Sequence, residues 1–327
     1  MSTYPRTRLR RLRRTERLRR MFNMSMPGPE KFIWPVFVTP GTNTREEIGA
    51  MPGQFRYSPD ELCRALEKEV PAQLGGILLF GVPGEVEKDN TGTPAADPEG
   101  VVPQTVEKVK QSFPELPVFT DVCLCAYTSH GHCGPVTEEE EVDNDAANRM
   151  LGEVALVHAM AGADCVAPSA MMDGQVSAIR TRLDEGAMTN TMILSYSTKF
   201  ASSMYDPFRE AEQSAPQGGG DRQGYQAPYA DIDQALRESR LDEEEGADML
   251  MVKPSLLYMD VITQLKEHTR LPVAAYNVSG EYAMLRAAAD AGRGDLGAMV
   301  RESTLGLFRA GADVVISYWA NHYDRLL

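Results

Sequence analysis

The chain has 327 residues, of which 43% are hydrophobic and 24% charged, and its formal net charge is −14. A chain of this size buries roughly 75% of its unfolded surface, so it folds without a disulfide or metal staple, and its ordinary composition excludes collagen, coiled coil and pervasive disorder. No apolar run approaches the ~18 residues that a membrane-spanning helix requires, so no membrane partner is expected.

The charge is unevenly spread. Residues 1–20 hold nine arginines and one glutamate, a local charge of +8, so the other 307 residues carry −22. An acidic body repels a nucleic-acid backbone, so no nucleic-acid partner is expected. The division is a basic arm over 1–30 and a catalytic body over 31–327. The arm is expected to dock on the acidic body of a second subunit. Its arginines interrupt any apolar core of a secretory signal, although an Arg-rich, acid-poor start has the composition of an organelle presequence. The five cysteines are an odd number with no export signal, which points to a reducing compartment, the cytoplasm.

In chain order the predicted strands are Phe32–Val38, Gly76–Phe80, Val118–Val122, Cys165–Ser169, Met192–Ser197, Met249–Lys253, Pro272–Val278 and Val314–Tyr318. Helical patterns fill 59–70, 103–112, 145–161, 175–185, 232–245, 258–268 and 281–291, and a short helical turn follows the last strand. The strands are continuous apolar runs, as in a parallel sheet buried on both faces. Three of them follow a Gly-Ala-Asp turn, at Gly162, Gly246 and Gly311, where glycine ends the preceding helix. Eight strands alternating with helices predict a (βα)8 barrel. The competing open doubly wound sheet lacks its Gly-x-Gly-x-x-Gly turn after the first strand. Two long loops, Cys123 to about Asp143 and Phe200 to about Ala230, follow strands and therefore lie on the face where barrel active sites form. The second contains Gly218-Gly219-Gly220 and reads as a lid.

Chemistry concentrates at strand ends. Cys123, Cys125 and Cys133 follow the third strand with spacing C-x-C-x7-C. Three soft ligands favour zinc, and three rather than four leave an open, catalytic position. A closed structural site with His130 or His132 as fourth ligand, or three unligated thiols, are the alternatives. Lys199 and Lys253 end the fifth and sixth strands, which are neighbours in a barrel. A desolvated lysine beside another cation loses its proton readily and attacks carbonyls. Arg209, Arg222 and Gln226 on the following loop could bind carboxylates, with Tyr205 and Phe208 covering the site. Ser279 and Tyr318 fall at the ends of the last two strands. His158, His268 and His322 read as structural, and the acidic runs Glu138–Glu141 and Asp242–Glu245 as solvated faces.

These residues together resemble the porphobilinogen synthase (5-aminolevulinate dehydratase) family. Asp121-Val122-Cys123-Leu124-Cys125 through Cys133-Gly134 resembles its zinc signature. Met251-Val252-Lys253-Pro254 with Tyr258-Met259-Asp260 resembles its Schiff-base motif, and Ser195–Ser202 with Tyr205, Pro207, Phe208 and Arg209 its second lysine and lid. Val278-Ser279-Gly280-Glu281-Tyr282 and the arm Arg10-Arg11-Leu12-Arg13-Arg14 are also similar. The likeness covers essentially the whole chain. It implies a (βα)8 TIM barrel whose arm wraps a neighbour in a homo-octamer. It also implies a lyase that condenses two 5-aminolevulinate molecules, with loss of two waters, in tetrapyrrole (heme) biosynthesis. By the same resemblance, Lys253 and Lys199 form Schiff bases with the two substrates. One substrate carboxylate meets Ser279 and Tyr318, the other Arg209, Arg222 and Gln226. Asp121 and Tyr205 line the pocket, zinc sits on the three cysteines, and Glu238 is an allosteric magnesium ligand.

The chain departs from the family's pattern at Ala170, where a carboxylate is usual, at Gln175, where a cation is usual, and at Ala126, Asp206 and Asn277. Neither lysine and no zinc ligand is lost. The competing readings are a one-lysine aldolase-like barrel without metal, which the three cysteines oppose, and a weakly active assembly protein, which the changes at 170 and 175 favour.

Overall fold

The computed structural model describes residues 4–84, 88–138, 141–214 and 221–327. Eight parallel strands close into a barrel: β1 (Phe32–Val38), β2 (Gly76–Gly81), β3 (Val118–Val122), β4 (Cys165–Pro168), β5 (Met192–Lys199), β6 (Met249–Lys253), β7 (Val273–Asn277) and β8 (Val314–Ser317). Each pairs with its neighbours, and β8 closes on β1 at Phe32↔Val315 and Ile33↔Ile316. The helices packed around it are α1 (Pro59–Glu69), α2 (Val101–Ser112), α3 (Asn144–Met160), α4 (Gln175–Glu185), α5 (Ile232–Glu244), α6 (Met259–His268), α7 (Ser279–Asp290) and α8 (Leu296–Ala310). The predicted TIM barrel is therefore the fold.

Alternate residues of each strand serve two cores, as the two-residue repeat of a strand dictates. Ile33, Phe37, Leu78, Phe80, Leu194, Tyr196, Met251, Tyr276, Ile316 and Tyr318 fill the barrel interior. Their neighbours Phe32, Trp34, Val36, Ile77, Leu79, Ile193, Leu250 and Val252 pack outward against the helices. Both faces are buried, which is why the strands read as unbroken apolar runs.

The Gly-Ala-Asp turns carry a repeated device. Each glycine adopts a left-handed φ, +104° at Gly162, +105° at Gly246 and +117° at Gly311, which a side chain resists. The aspartate that follows, Asp164, Asp248 or Asp313, accepts an amide at the start of an adjacent strand, from Val118, Ile193 (the second residue of β5) or Val273, at 2.8 Å in every case.

Three features depart from the predicted elements. A two-stranded antiparallel insert, Arg45–Glu47 with Phe55–Tyr57, follows β1; strands of three residues leave no periodic signal. The fifteen-residue α8 was not predicted, because Gly297, Gly306 and the polar Arg301-Glu302-Ser303 interrupt its pattern. The loop after β5 contains a helix, Asp206–Glu212, begun by Pro207 in its first turn. Gly218–Gly220 and residues 139–140 lie outside the described residues. The short helix after β8 is Tyr323–Leu326.

Ahead of the barrel, Leu9–Arg13 and Glu16–Phe22 form short helices with no buried residue. Leu9, Leu12, Met21 and Phe22 are exposed there.

Candidate active site

The two lysines are brought together by an irregularity. Leu194 and Tyr196 point into the barrel, while Ser195 and Ser197 point outward to Asp242 and Ser239 of α5. An unbroken strand would send Lys199 outward too. The register of β5 against β6 shifts between Ser195 and Thr198, and such a bulge reverses the alternation beyond it. Lys199 therefore pairs with Lys253 at the strand ends, and both are buried, 5% and 4% exposed.

Lys253 stands in a ring of aromatic faces. Its Nζ lies 4.4 Å from the ring centroid of Tyr276, 4.8 Å from Tyr196, 4.9 Å from Phe208 and 5.4 Å from Tyr205. Burial first, and then the Lys199 ammonium, pull its pKa down to about 7. Lys199 Nζ donates to the Ser169 carbonyl at 2.5 Å. Asp121, half-buried beside both lysines, is pushed up to about 7 by desolvation and then by Glu212, and among the described residues its Oδ1 has no hydrogen-bond partner.

Glu281 fixes the backbone around Lys253. Its carboxylate accepts the amides of Ser255 (3.1 Å), Leu256 (2.6 Å) and Val278 (2.9 Å), tying the end of β6 to the start of α7. Asn277 joins this network, donating to Glu281 at 3.1 Å and accepting from Ser317 at 3.3 Å.

The three cysteine sulfurs lie within 4.8 Å of one another and are buried. Hydrogen bonds from Cys123 and Cys125 hold Cys133 well below the ordinary thiol range, with the Arg222 charge assisting. The histidines beside them are engaged elsewhere. His130 Nε2 meets the Asn90 carbonyl at 3.2 Å, and His132 Nδ1 meets Tyr225 Oη at 3.2 Å. Among the described residues the donor set is thus three thiols, which suits a soft or borderline divalent ion.

The segment after β5 covers the barrel mouth. Its ends are pinned by Phe200 N to Lys253 O (2.9 Å) and Ala227 N to Lys199 O (3.0 Å). Tyr205 Oη donates to the Lys253 carbonyl at 3.0 Å. The Phe208 ring packs among Phe37 and Phe80, at 5.4 Å and 5.0 Å. Ser279 Oγ accepts the Phe208 amide at 3.0 Å and donates to Met204 O at 3.3 Å. Tyr318 Oη meets Tyr276 Oη at 3.2 Å. With both lysines sealed, a substrate enters only when this lid moves.

The three carboxylate-binding candidates differ. Arg222 and Gln226 are buried, and among the described residues Arg222 Nε and Gln226 Nε2 have no partner. Buried donors without acceptors are costly, and an anion would satisfy both. Arg209 is half-buried and paired with Asp206 at 2.9 Å within the lid helix. Glu238 does not join the site. It lies on α5 in an outer cleft of about 800 Å³ with Asp173 and Asp242, and burial, then Asp173, raise its pKa. Ala170 and Gln175 are both buried, and Gln175 Oε1 accepts the Met172 amide at 3.4 Å.

The sequence did not single out the residue that latches this lid. Arg56, on the two-stranded insert, donates to the carbonyls of Ala211 and Glu210 at 2.8 Å each, capping the end of the lid helix. Glu46 holds Arg56 at 3.1 Å, and Glu210 accepts the Ala50 amide at 3.1 Å. Arg56→Met should speed amide exchange across 206–212 at least about tenfold, since a charged donor contributes ~1.5–3 kcal/mol per bond. Unchanged exchange would show that the latch does not hold the lid.

The chain matches the family described as delta-aminolevulinic acid dehydratase over residues 6–326. It is 48% identical over 319 residues to the delta-aminolevulinic acid dehydratase of Methanothermobacter thermautotrophicus, covering 97% of this chain and 96% of that one. It is 47% identical to that of Escherichia coli over 311 residues, covering 95% and 94% of the two chains. Among solved structures, the enzyme of the same name from Toxoplasma gondii, in complex with the reaction product porphobilinogen, superposes with a TM-score of 0.94 at 40% identity, covering 97% of this chain and 90% of that one.

Proposed function

This chain belongs to the delta-aminolevulinic acid dehydratase family, and from that premise we propose that it condenses two 5-aminolevulinate molecules to porphobilinogen through two Schiff-base lysines and a cysteine-bound zinc. The observation that carries the reading is the pairing of Lys199 and Lys253, both buried, at adjacent strand ends.

The lowered pKa leaves Lys253 partly neutral at pH 7, so its Nζ attacks the ketone of one substrate and the carbinolamine loses water. Ser279 and Tyr318, near the ends of the last two strands, would take that substrate's carboxylate. Lys199 takes the second substrate, whose carboxylate is gripped by Arg222 and Gln226, with Arg209 exchanging Asp206 for it. Asp121 offers a half-buried carboxylate beside both lysines for proton transfer. Tyr205 and Phe208 exclude water while the lid is shut, and water would hydrolyse an imine.

Cys123, Cys125 and Cys133 would hold the zinc. When bound, it supplies Lewis acidity that keeps the amino group of one substrate neutral. Magnesium is proposed at Glu238 with the outer carboxylate Asp173, an oxygen environment that suits a hard cation. We assign the protein to the cytoplasm and to a homo-octamer in which the exposed arm packs on the acidic body of another copy.

Borohydride reduction in the presence of 5-aminolevulinate tests the reading. Mass spectrometry should find adducts on Lys253 and on Lys199. Adduct confined to one lysine under all conditions would favour an aldolase-like reaction instead.

A further inference from the structure

A small cavity lies where β2 and β3 end, between the barrel interior and the helix layer. Its lining brings together His158 of α3, Tyr127, Asp121 and Glu212. Gly81, the last residue of β2, lets the Tyr127 hydroxyl reach over the strand end, because a Cβ at 81 would collide with that hydroxyl and come within 2.7 Å of the Val102 side chain.

His158 reads as structural in the sequence, yet its ring is poorly served. It is 2% exposed, and among the described residues its Nδ1 has no hydrogen-bond partner. Burial pulls its pKa down to about 3, so the ring is neutral and offers one N–H. The carboxylates that share the cavity are no better satisfied. Glu212 is 3% exposed and among the described residues makes one hydrogen bond, from Cys125 Sγ at 3.4 Å, and no ion pair. Asp121 Oδ1 has no partner among them either. Buried polar atoms without partners are costly, and ordered water commonly satisfies them. We propose that this cavity holds one ordered water that joins His158 to Asp121 and Glu212, which makes His158 a positioning residue for the reaction.

Donors and acceptors balance. The water would donate its two hydrogens to the two carboxylates and accept from the His158 N–H and the Tyr127 hydroxyl, within the roughly two to four bonds usual for buried water. The cavity leaves about 10 Å³ for the centre of a water-sized sphere, which is room for one water and not for a substrate. Asp121 stands beside both lysines, and the charge of Glu212 acts against it. A water shared by the two carboxylates fixes the side chain that is to move the proton. The inference rests on the condensation reading and adds what holds its proton-transfer carboxylate in place.

A high-resolution crystal structure of the unaltered, zinc-loaded protein tests the water directly. One water within about 3.2 Å of a His158 ring nitrogen and of oxygens on Asp121 and Glu212 is expected. A dry cavity, or a water that meets neither carboxylate, would overturn the inference whatever the reaction proves to be. His158→Leu and His158→Gln test the role. In His158→Leu, kcat should fall at least about tenfold while KM moves less than about twofold, at unchanged zinc content. His158→Gln, which still offers an N–H, should recover most of kcat. A merely structural histidine would lower the melting temperature in both variants and leave kcat per folded molecule unchanged, and that result would overturn the positioning role. No porphobilinogen from the unaltered, zinc-loaded protein would overturn the condensation reading and the role with it, leaving the water to be judged by the crystal structure alone.

Discussion

Lys253→Met is expected to lower turnover at least about 10⁴-fold while the barrel stays folded. Loss of the nucleophile that forms a covalent intermediate has effects of this order. Methionine matches the stem of lysine and suits the aromatic ring formed by Tyr276, Tyr196, Phe208 and Tyr205. It also removes a buried cation, so the melting temperature should hold or rise. The pH dependence follows from the same surroundings. At the ordinary pKa of 10.5 about one lysine in 3,000 is neutral at pH 7, whereas at about 7 half are. The amine is the reactive form and predominates above the pKa. Borohydride trapping at Lys253 should therefore fall about tenfold per pH unit below 7 and level off above it. A trapping rate that stayed flat from pH 5 to 8 would contradict the lowered pKa, and a Lys253→Met enzyme with ordinary kinetics would remove the site.

Cys125→Ala is the second large effect. Cys125 lies 3.4 Å from both Cys123 Sγ and Glu212 Oε2, so its loss leaves two thiols. Zinc affinity should drop by at least about 10³-fold, since structural sites of this kind bind with ~10–16 kcal/mol shared among their ligands. Turnover should fall below about 1%. Removing one buried sulfur costs the fold only ~1 kcal/mol, so far-ultraviolet circular dichroism should be unchanged. Full zinc stoichiometry with normal turnover in this variant would refute the ligand assignment.

The barrel was legible because each of its eight strands is a short apolar run, and because Gly162, Gly246 and Gly311 mark the turns before three of them. The lysines and cysteines were legible as polar residues set at the ends of such runs. What escaped depends on contacts distant in the chain. The bulge that turns Lys199 inward has no composition of its own; only pairing with β6 reveals it. Arg56 is an ordinary surface-type residue in a three-residue strand, and its task exists only because the lid helix ends against it. Glu212 is one acidic residue among 47, and nothing nearby in sequence predicts its burial. Two missed elements did carry signals. Asp295 caps α8 by accepting the Ala298 amide at 2.7 Å, and Asp206-Pro207 begins the lid helix in the usual manner.

The proposed reaction is a metal-assisted, two-substrate condensation. Its most direct test is porphobilinogen formation from 5-aminolevulinate by the zinc-loaded protein, before and after thorough removal of zinc by a chelator and again after zinc is restored. Product that appears, disappears on chelation and returns with zinc is the predicted result. No product from the zinc-loaded protein would contradict it.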